Sequence, residues 1–231
     1  MTKFNYMKEF KAKLVSAKGL TADVKHFVFE AEEDFPYESG QFVMVEITDG
    51  KDPSGVSRAY SIASAPDGKR FELLVKILPD GRGSQFLNGL QDGAVLNFKG
   101  PFGHFLMDTS SKKDVLFVAT GTGLAPIRAM INANISSGRN VKLFFGVRYL
   151  ADIFMEEEFK DLGMNYKICV SRPEGAYSGF VGRVTDLIEK TDFDYKNLQV
   201  YICGSKQMSD SVRTYFLGKG VLPEDIKNEV F

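Results

Sequence analysis

Residues 57–64 read S-R-A-Y-S-I-A-S, with an arginine and a tyrosine two positions apart in a strand-like run and a serine directly after the tyrosine. Positions two apart in a strand share a face, so Arg58 and Tyr60 can touch one ligand side by side. A guanidinium is a planar fork suited to two-point phosphate contact. A tyrosine ring adds a flat apolar face with a polar tip. Taken singly, Tyr60 would be read as a core aromatic and Arg58 as a surface cation. A second signal is A-T-G-T-G-L-A-P-I at 119–127. Gly121 and Gly123 permit a tight turn, Pro126 suits a first helical turn, and the exposed amides there favour an anion. Pro126 stands where a dinucleotide fingerprint needs its third glycine, so the turn alone is equally a tight connection. G-R-G-S at 81–84 offers the amides of Gly83 and Ser84 as an anion cradle, or a β-turn with Ser84 as helix N-cap.

Composition narrows the chemistry. The chain has 231 residues, 44% hydrophobic and 26% charged, enough for a folded core and for one large or two ordinary domains. A net charge of -1 argues against a general nucleic-acid binder. Two cysteines, Cys169 and Cys203, exclude a disulfide framework and a four-cysteine iron–sulfur cluster. With only His26 and His104, no metal site is advertised, so redox chemistry would come from an organic cofactor. No apolar run approaches a membrane span and M-T-K-F-N-Y-M-K-E-F lacks a signal-peptide core, so a cytoplasmic protein is expected. Twenty Phe with no Trp carries no functional reading.

Two grammars of structure must position these residues. From 9 to about 108, short runs broken by Gly, Pro and Asp read as antiparallel strands: 26–32, 41–47, 58–64, 71–78 and 94–100. A short helix over 84–90 interrupts them. After the polar stretch D-T-S-S-K-K-D at 108–114, strand-like and helix-like runs alternate, with strands near 115, 142, 167, 200 and 229. That alternation predicts a five-stranded parallel sheet with right-handed crossovers, binding ligands at the carboxyl ends of its strands. The domains divide at 1–108 and 109–231.

R-A-Y-S, G-P-F-G (100–103) and Y-I-C-G-S-K-Q-M (201–208), in that order around G-T-G-L-A-P, resemble the ferredoxin–NADP reductase superfamily over roughly residues 9–231. The resemblance implies an FAD-binding antiparallel β-barrel followed by an NAD(P)-binding α/β domain. It implies hydride transfer from NAD(P)H, leaning to NADPH, to bound FAD, then electrons to a small acidic acceptor such as ferredoxin or flavodoxin. By the same likeness, Arg58 and the Gly83–Ser84 cradle hold the FAD pyrophosphate, Tyr60 stacks on the flavin, Ser61 bonds near its reactive nitrogen, and Val75 and Lys76 contribute backbone. G-P-F-G shapes the loop that closes the barrel. Thr120, Gly121, Thr122, Gly123, Gly204 and Met208 form the nucleotide site. Ser171 and Arg172, in S-R-P-E, stand where NADP-preferring members bind the 2′-phosphate, and Arg148 faces the same nucleotide or solvent. Cys203, at the end of the fourth parallel strand, packs beside the nicotinamide, a role hard to separate from that of a small buried residue. Glu229 joins Ser61 in a proton path or is a solvated carboxylate, and Phe231 covers the flavin face. Basic residues near the N-terminus (Lys3, Lys8, Lys11, Lys13, Lys18) are a docking face or a solvated one. Two other readings remain: a reductase of free flavin, and an electron-transfer subunit of a larger redox complex.

Overall fold

In a computed structural model, which describes residues 8–50 and 55–230, the chain divides into two compact units. One comprises residues 1–107 with 128–133, the other 108–127 with 134–231. Lys3 and Phe231 lie outside the described residues.

The first unit is a six-stranded antiparallel sheet with order β4-β3-β6-β1-β2-β5. Its strands are β1 (Lys8–Gly19), β2 (Val24–Ala31), β3 (Phe42–Ile47), β4 (Val56–Ser61), β5 (Arg70–Lys76) and β6 (Val95–Phe102), with helix α1 (Arg82–Asn88) between β5 and β6. The end strands meet: Ile62 bridges Leu73, and Ala63 N–H donates to the Glu72 carbonyl at 2.7 Å, which closes the sheet into a barrel. Alternate residues point inward and fill it with phenylalanine. Phe29 and Phe98 meet edge to face at 5.1 Å between centroids, and Phe71 and Phe98 at 5.2 Å. The many phenylalanines therefore have a packing role, each ring burying a large area without a polar atom to satisfy.

β1 is hidden in the sequence by its lysines. Only Ala12 and Leu14 are buried in it, and the charged residues line its outward face. Lys8 is ion-paired with Glu33, and Lys13 stands opposite Glu30 across the strand pair, although Glu30 itself bonds Arg70. G-P-F-G is also corrected: Gly100, Pro101 and Phe102 belong to β6, and Phe102 pairs with Phe42 of β3, so the motif is largely strand.

The second unit is a parallel sheet with order β10-β9-β8-β7-β11-β12. It contains β7 (Asp114–Thr120), the start of α2 (Leu124–Asn134, whose residues 128–133 group with the first unit), β8 (Val141–Val147), α3 (Glu156–Asp161), β9 (Asn165–Val170), β10 (Phe180–Val181), α4 (Val184–Glu189), β11 (Leu198–Gly204), α5 (Lys206–Gly218) and β12 (Ile226–Val230). Every residue of β11 and the five middle ones of β7 are buried, as central parallel strands covered on both faces must be. The sheet has six strands, where five were expected. β10 has two residues between Gly179 and Gly182, too short for any periodic signal. Strand order reverses between β7 and β11, the topological switch point of the sheet. At the opposite ends of the strands, Arg139 donates to Gln199 Oε1 (2.7 Å) and the Asp108 carbonyl (3.1 Å), while the Asp108 N–H donates to Tyr201 Oη (2.9 Å). The polar stretch at 108–114 is thereby tied to the foot of this sheet.

Candidate functional site

Two sites emerge, each built within one unit. In the barrel, β4 carries Arg58 and Tyr60, and the first turn of α1 lies directly against them. A Cβ added to Gly83 would stand 2.7 Å from Arg58 Cγ and 2.7 Å from Tyr60 Oη. The G-R-G-S turn and the R-A-Y-S strand, apart by more than twenty residues in sequence, therefore form one surface, and only glycine allows that approach. Arg58 is exposed, its Nη1 donates to the Ser57 carbonyl at 3.0 Å, and it meets no carboxylate among the described residues. Its charge is available to an anion. Tyr60 is half-buried against the barrel core, and burial pushes its phenol up to about 12 despite the nearby Arg58 cation. It stays protonated and acts as an aromatic face and a hydrogen-bonding tip.

The N-cap of α1 is Gly81, with no side-chain cap, which corrects the reading of Ser84 as cap. Ser84 sits one turn further in, buried, where its Oγ accepts from Leu78 N–H and donates to the Gly81 carbonyl, both at 3.0 Å. The hydroxyl thus shapes the turn, and a first-turn amide has no acceptor within its own helix. Arg82 is committed elsewhere, gripping Asp49 through two nitrogens at 2.8 and 2.6 Å. Val75 is buried, and Lys76 Nζ pairs with Asp23 at 2.9 Å. Both residues are in register with β2, and no strand among the described residues pairs with them on the other side. Ser61 ends β4 and is half-buried.

The donor set fits an aromatic dinucleotide such as FAD. A guanidinium with no carboxylate partner among the described residues, the first-turn amides of a helix and a tyrosine ring converge on one surface, and Gly83 shows how tightly that surface is assembled.

The second site lies at the switch point. Thr120 ends β7, Gly121–Gly123 form one 3₁₀ turn, and α2 begins at Leu124 with Pro126 in its first turn. The two glycines serve different needs. Gly121 has φ +54°, and a methyl group placed there would meet nothing within 4 Å, so its need is conformational. Gly123 faces the β11 backbone, where a Cβ would stand 2.3 Å from the Cys203 carbonyl oxygen. Gly204, at φ +149°, reciprocates, because its Cβ would meet Thr120 Oγ1 at 2.1 Å and Met208 Cε at 3.0 Å. The ends of β7 and β11 are locked together through glycines. Ser205 then caps α5, its Oγ accepting from the Met208 N–H. Thr122 is half-buried in the turn.

β11, fifth in chain order among the strands of this sheet and not fourth as expected because β10 precedes it, ends at Gly204, one residue after Cys203. Cys203 is fully buried, and its thiol is pushed up, by burial first and by the Glu229 carboxylate second. Glu229 pairs with it in register across β11 and β12. A neutral buried thiol is a packing group, not a nucleophile. Along the same edge, Arg172 N–H donates to the Arg148 carbonyl at 2.8 Å and Ser171 N–H to that of Val147 at 3.1 Å. Arg148, Ser171 and Arg172 thus continue the β8–β9 ladder past its end, exposed, and neither guanidinium has an ion-pair partner among the described residues. Tyr177 donates its hydroxyl to the Ile168 carbonyl (3.1 Å).

A cluster of three residues escapes motif reasoning. Glu72 Oε2 accepts from Arg128 Nη1 at 2.6 Å and from His26 Nε2 at 2.8 Å. They are scattered through the sequence without a spacing rule, so nothing short of the fold could join them.

Residues 11–107 match a family model described as an oxidoreductase FAD-binding domain, and residues 117–214 one described as an oxidoreductase NAD-binding domain. A ferredoxin–NADP reductase B of Sorangium cellulosum is 36% identical over 234 residues, covering 93% of each chain. A sulfhydrogenase 2 subunit gamma of Pyrococcus furiosus is 30% identical, over 95% of this chain and 82% of its own. The fold is also that of a ferredoxin NADP+ reductase from Neisseria gonorrhoeae with bound FAD and NADP. That match has a TM-score of 0.87 at 21% identity, over 96% of this chain and 98% of the other.

Proposed function

This chain belongs to the ferredoxin–NADP reductase superfamily, and on that premise we propose that it is a flavoprotein reductase moving electrons from NAD(P)H through FAD to a small acidic redox protein of the ferredoxin or flavodoxin type. Residues 1–108 hold FAD and residues 109–231 the nicotinamide nucleotide. When bound, FAD accepts a hydride and can give up its two electrons singly, which suits a one-electron acceptor. The observation that carries this reading is the contact of Gly83 with both Arg58 and Tyr60.

The chain's own residues bind, orient and exclude water. Arg58 supplies a fork for the pyrophosphate, beside the amides of Gly83 and Ser84. Tyr60 supplies the stacking face, Ser61 a hydroxyl at the end of the same strand, and Val75 and Lys76 backbone groups. Thr120, Gly121, Thr122 and Gly123 cradle the nucleotide phosphates, with Gly204 and Met208 shaping the opposite wall. Arg172 and Ser171, with Arg148 beside them, offer charge-assisted contacts to a 2′-phosphate that NADH lacks, which favours NADPH. Cys203 packs beside the nicotinamide, and Glu229, in register with it across β11 and β12, offers a carboxylate for proton transfer. Phe231 is assigned the covering of the flavin face.

A reductase of free flavin would not need a surface so closely assembled around its cofactor, and bound FAD is favoured for that reason. We assign the chain to the cytoplasm. Its two cysteines are free and buried, which suits a reducing compartment. No helix among the described residues is long and apolar enough to cross a membrane.

The test is the visible spectrum of the purified protein before and after anaerobic NADPH. A flavin band that bleaches supports the reading, and colourless protein that reduces added flavin replaces it with the free-flavin reductase. A bound flavin that ignores NADPH but bleaches with NADH removes the role given to Arg172.

A further inference from the structure

Arg128 takes no part in either site described above, yet it is only 8% exposed. It lies in α2, within the stretch 128–133 that belongs to the first compact unit. Its Nη1 donates to the Ala63 carbonyl at 2.8 Å and to Glu72 Oε2 at 2.6 Å. Glu72 reaches the same piece of chain through its backbone. Its carbonyl accepts from Ala63 N–H at 2.7 Å, and its own N–H donates to Ser64 Oγ at 3.0 Å. Ser64 Oγ in turn lies 2.8 Å from Tyr37 Oη, which donates to the Ala65 carbonyl at 2.8 Å. The end of S-R-A-Y-S-I-A-S is therefore gripped by a guanidinium, a strand and a buried tyrosine, whereas its start at Ser57, Arg58 and Ala59 is exposed.

Taking an arginine out of water is costly, and the Glu72 carboxylate and the Ala63 carbonyl are among the partners that offset that cost. A methyl side chain such as that of Ala63 has no chemistry of its own to justify the arrangement. What Ala63 does have is its position, two residues beyond Ser61 and three beyond Tyr60 on a continuous extended segment. Displacing its carbonyl carries the ring and the hydroxyl with it. We infer that Arg128 is a positioning residue for the flavin-facing strand: by holding the Ala63 carbonyl against the Glu72 carboxylate, it fixes where Tyr60 and Ser61 meet FAD. The inference rests on the FAD reading above.

The experiment follows flavin release from the holoprotein as the rise of free FAD fluorescence on dilution. It compares wild type, Arg128→Lys, Arg128→Met, Glu72→Gln and the double variant Glu72→Gln/Arg128→Met, with the melting temperature of each measured alongside. Arg128→Met is expected to release flavin about tenfold faster, the loss of one charge-assisted contact, with Arg128→Lys intermediate. The double variant is expected to be no worse than Arg128→Met, because both changes remove the same contact. A residue that only stabilised the fold would lower the melting temperature and leave release well below it unchanged, and that result overturns the inference. If Arg128→Met does not fold, wild-type release rates in both Arg128→Lys and Glu72→Gln overturn it equally. Wild-type protein that holds no flavin is a separate failure, because it removes the FAD reading itself.

Discussion

Gly123 is in backbone contact with Cys203: a Cβ at position 123 would stand 2.3 Å from the Cys203 carbonyl oxygen and 2.5 Å from its carbon. No rotamer change relieves a clash with main chain, so β7 and β11 would have to separate at the switch point. Gly123→Ala is expected to cost roughly 2–3 kcal/mol of stability and to weaken nucleotide binding. Gly121→Ala is the control. Its methyl meets nothing within 4 Å and only the +54° φ opposes it, so it costs about 1 kcal/mol. Urea denaturation of both variants separates the cases, and equal losses would sink the distinction between crowding and conformation.

Gly83→Ala makes the corresponding claim for the barrel. The added methyl would press on Arg58 Cγ and Tyr60 Oη, each 2.7 Å away, and both belong to side chains that can swing aside. The expected outcome is a barrel of near-normal stability in which the proposed flavin surface is disturbed. FAD affinity should fall by about tenfold, as for the loss of one good polar contact, while the far-ultraviolet spectrum stays that of wild type. Isothermal titration with FAD gives the number. Unchanged affinity would mean that Arg58 and Tyr60 do not meet the cofactor from the positions they occupy.

Which parts are legible in the sequence follows from where their physics lies. R-A-Y-S-I-A-S and A-T-G-T-G-L-A-P can be read because their meaning is local: a shared strand face, a turn, a helix start. The alternation of strands and helices after residue 114 points to the parallel sheet for the same reason. β1 cannot be read, since Ala12 and Leu14 are its only buried residues among lysines and glutamates, and its place in mid-sheet is decided by β2 and β6. β10 is too short to leave a period. The purpose of Gly123 is hidden from local reading, because the crowding atom belongs to a residue eighty positions later. Arg128, Glu72 and His26 likewise meet only once the barrel has closed.

Both thiols should be chemically silent in the folded protein. Cys169 and Cys203 are 0% exposed, and burial pushes the Cys169 thiol up to about 12 and that of Cys203 higher still. Reaction needs the thiolate and access, and neither is offered. A dithionitrobenzoate titration at pH about 8 is expected to count no thiols in native protein and both in denaturant. Rapid native reaction of Cys203 would instead show an open, ionisable thiol and make it a candidate nucleophile again.

Glu72 supplies an acid-sensitive contribution to the barrel. Burial alone would raise its pKa, but the hydrogen bond from His26 and the charge and hydrogen bond of Arg128 outweigh that and hold it at about 2, against 4.5 for an ordinary glutamate. A carboxylate with a depressed folded-state pKa stabilises the protein fully above its unfolded value and loses that contribution as pH falls toward the folded one. The window therefore runs from about 4.5 down to about 2, and the contribution is on the order of 2–3 kcal/mol. The hydrogen bond and charge of Arg70 lower Glu30, and those of Lys8 lower Glu33, so these exposed carboxylates also respond to acid and the comparison must be between variants. Glu72→Gln is expected to be less stable than wild type at neutral pH and to lose less on acidification, so that the two urea midpoints converge toward the acid end of the window. If the gap between them stays constant from neutral pH down to about 2.5, another group titrates in its place and the Arg128–Glu72–His26 cluster does not carry the acid limb.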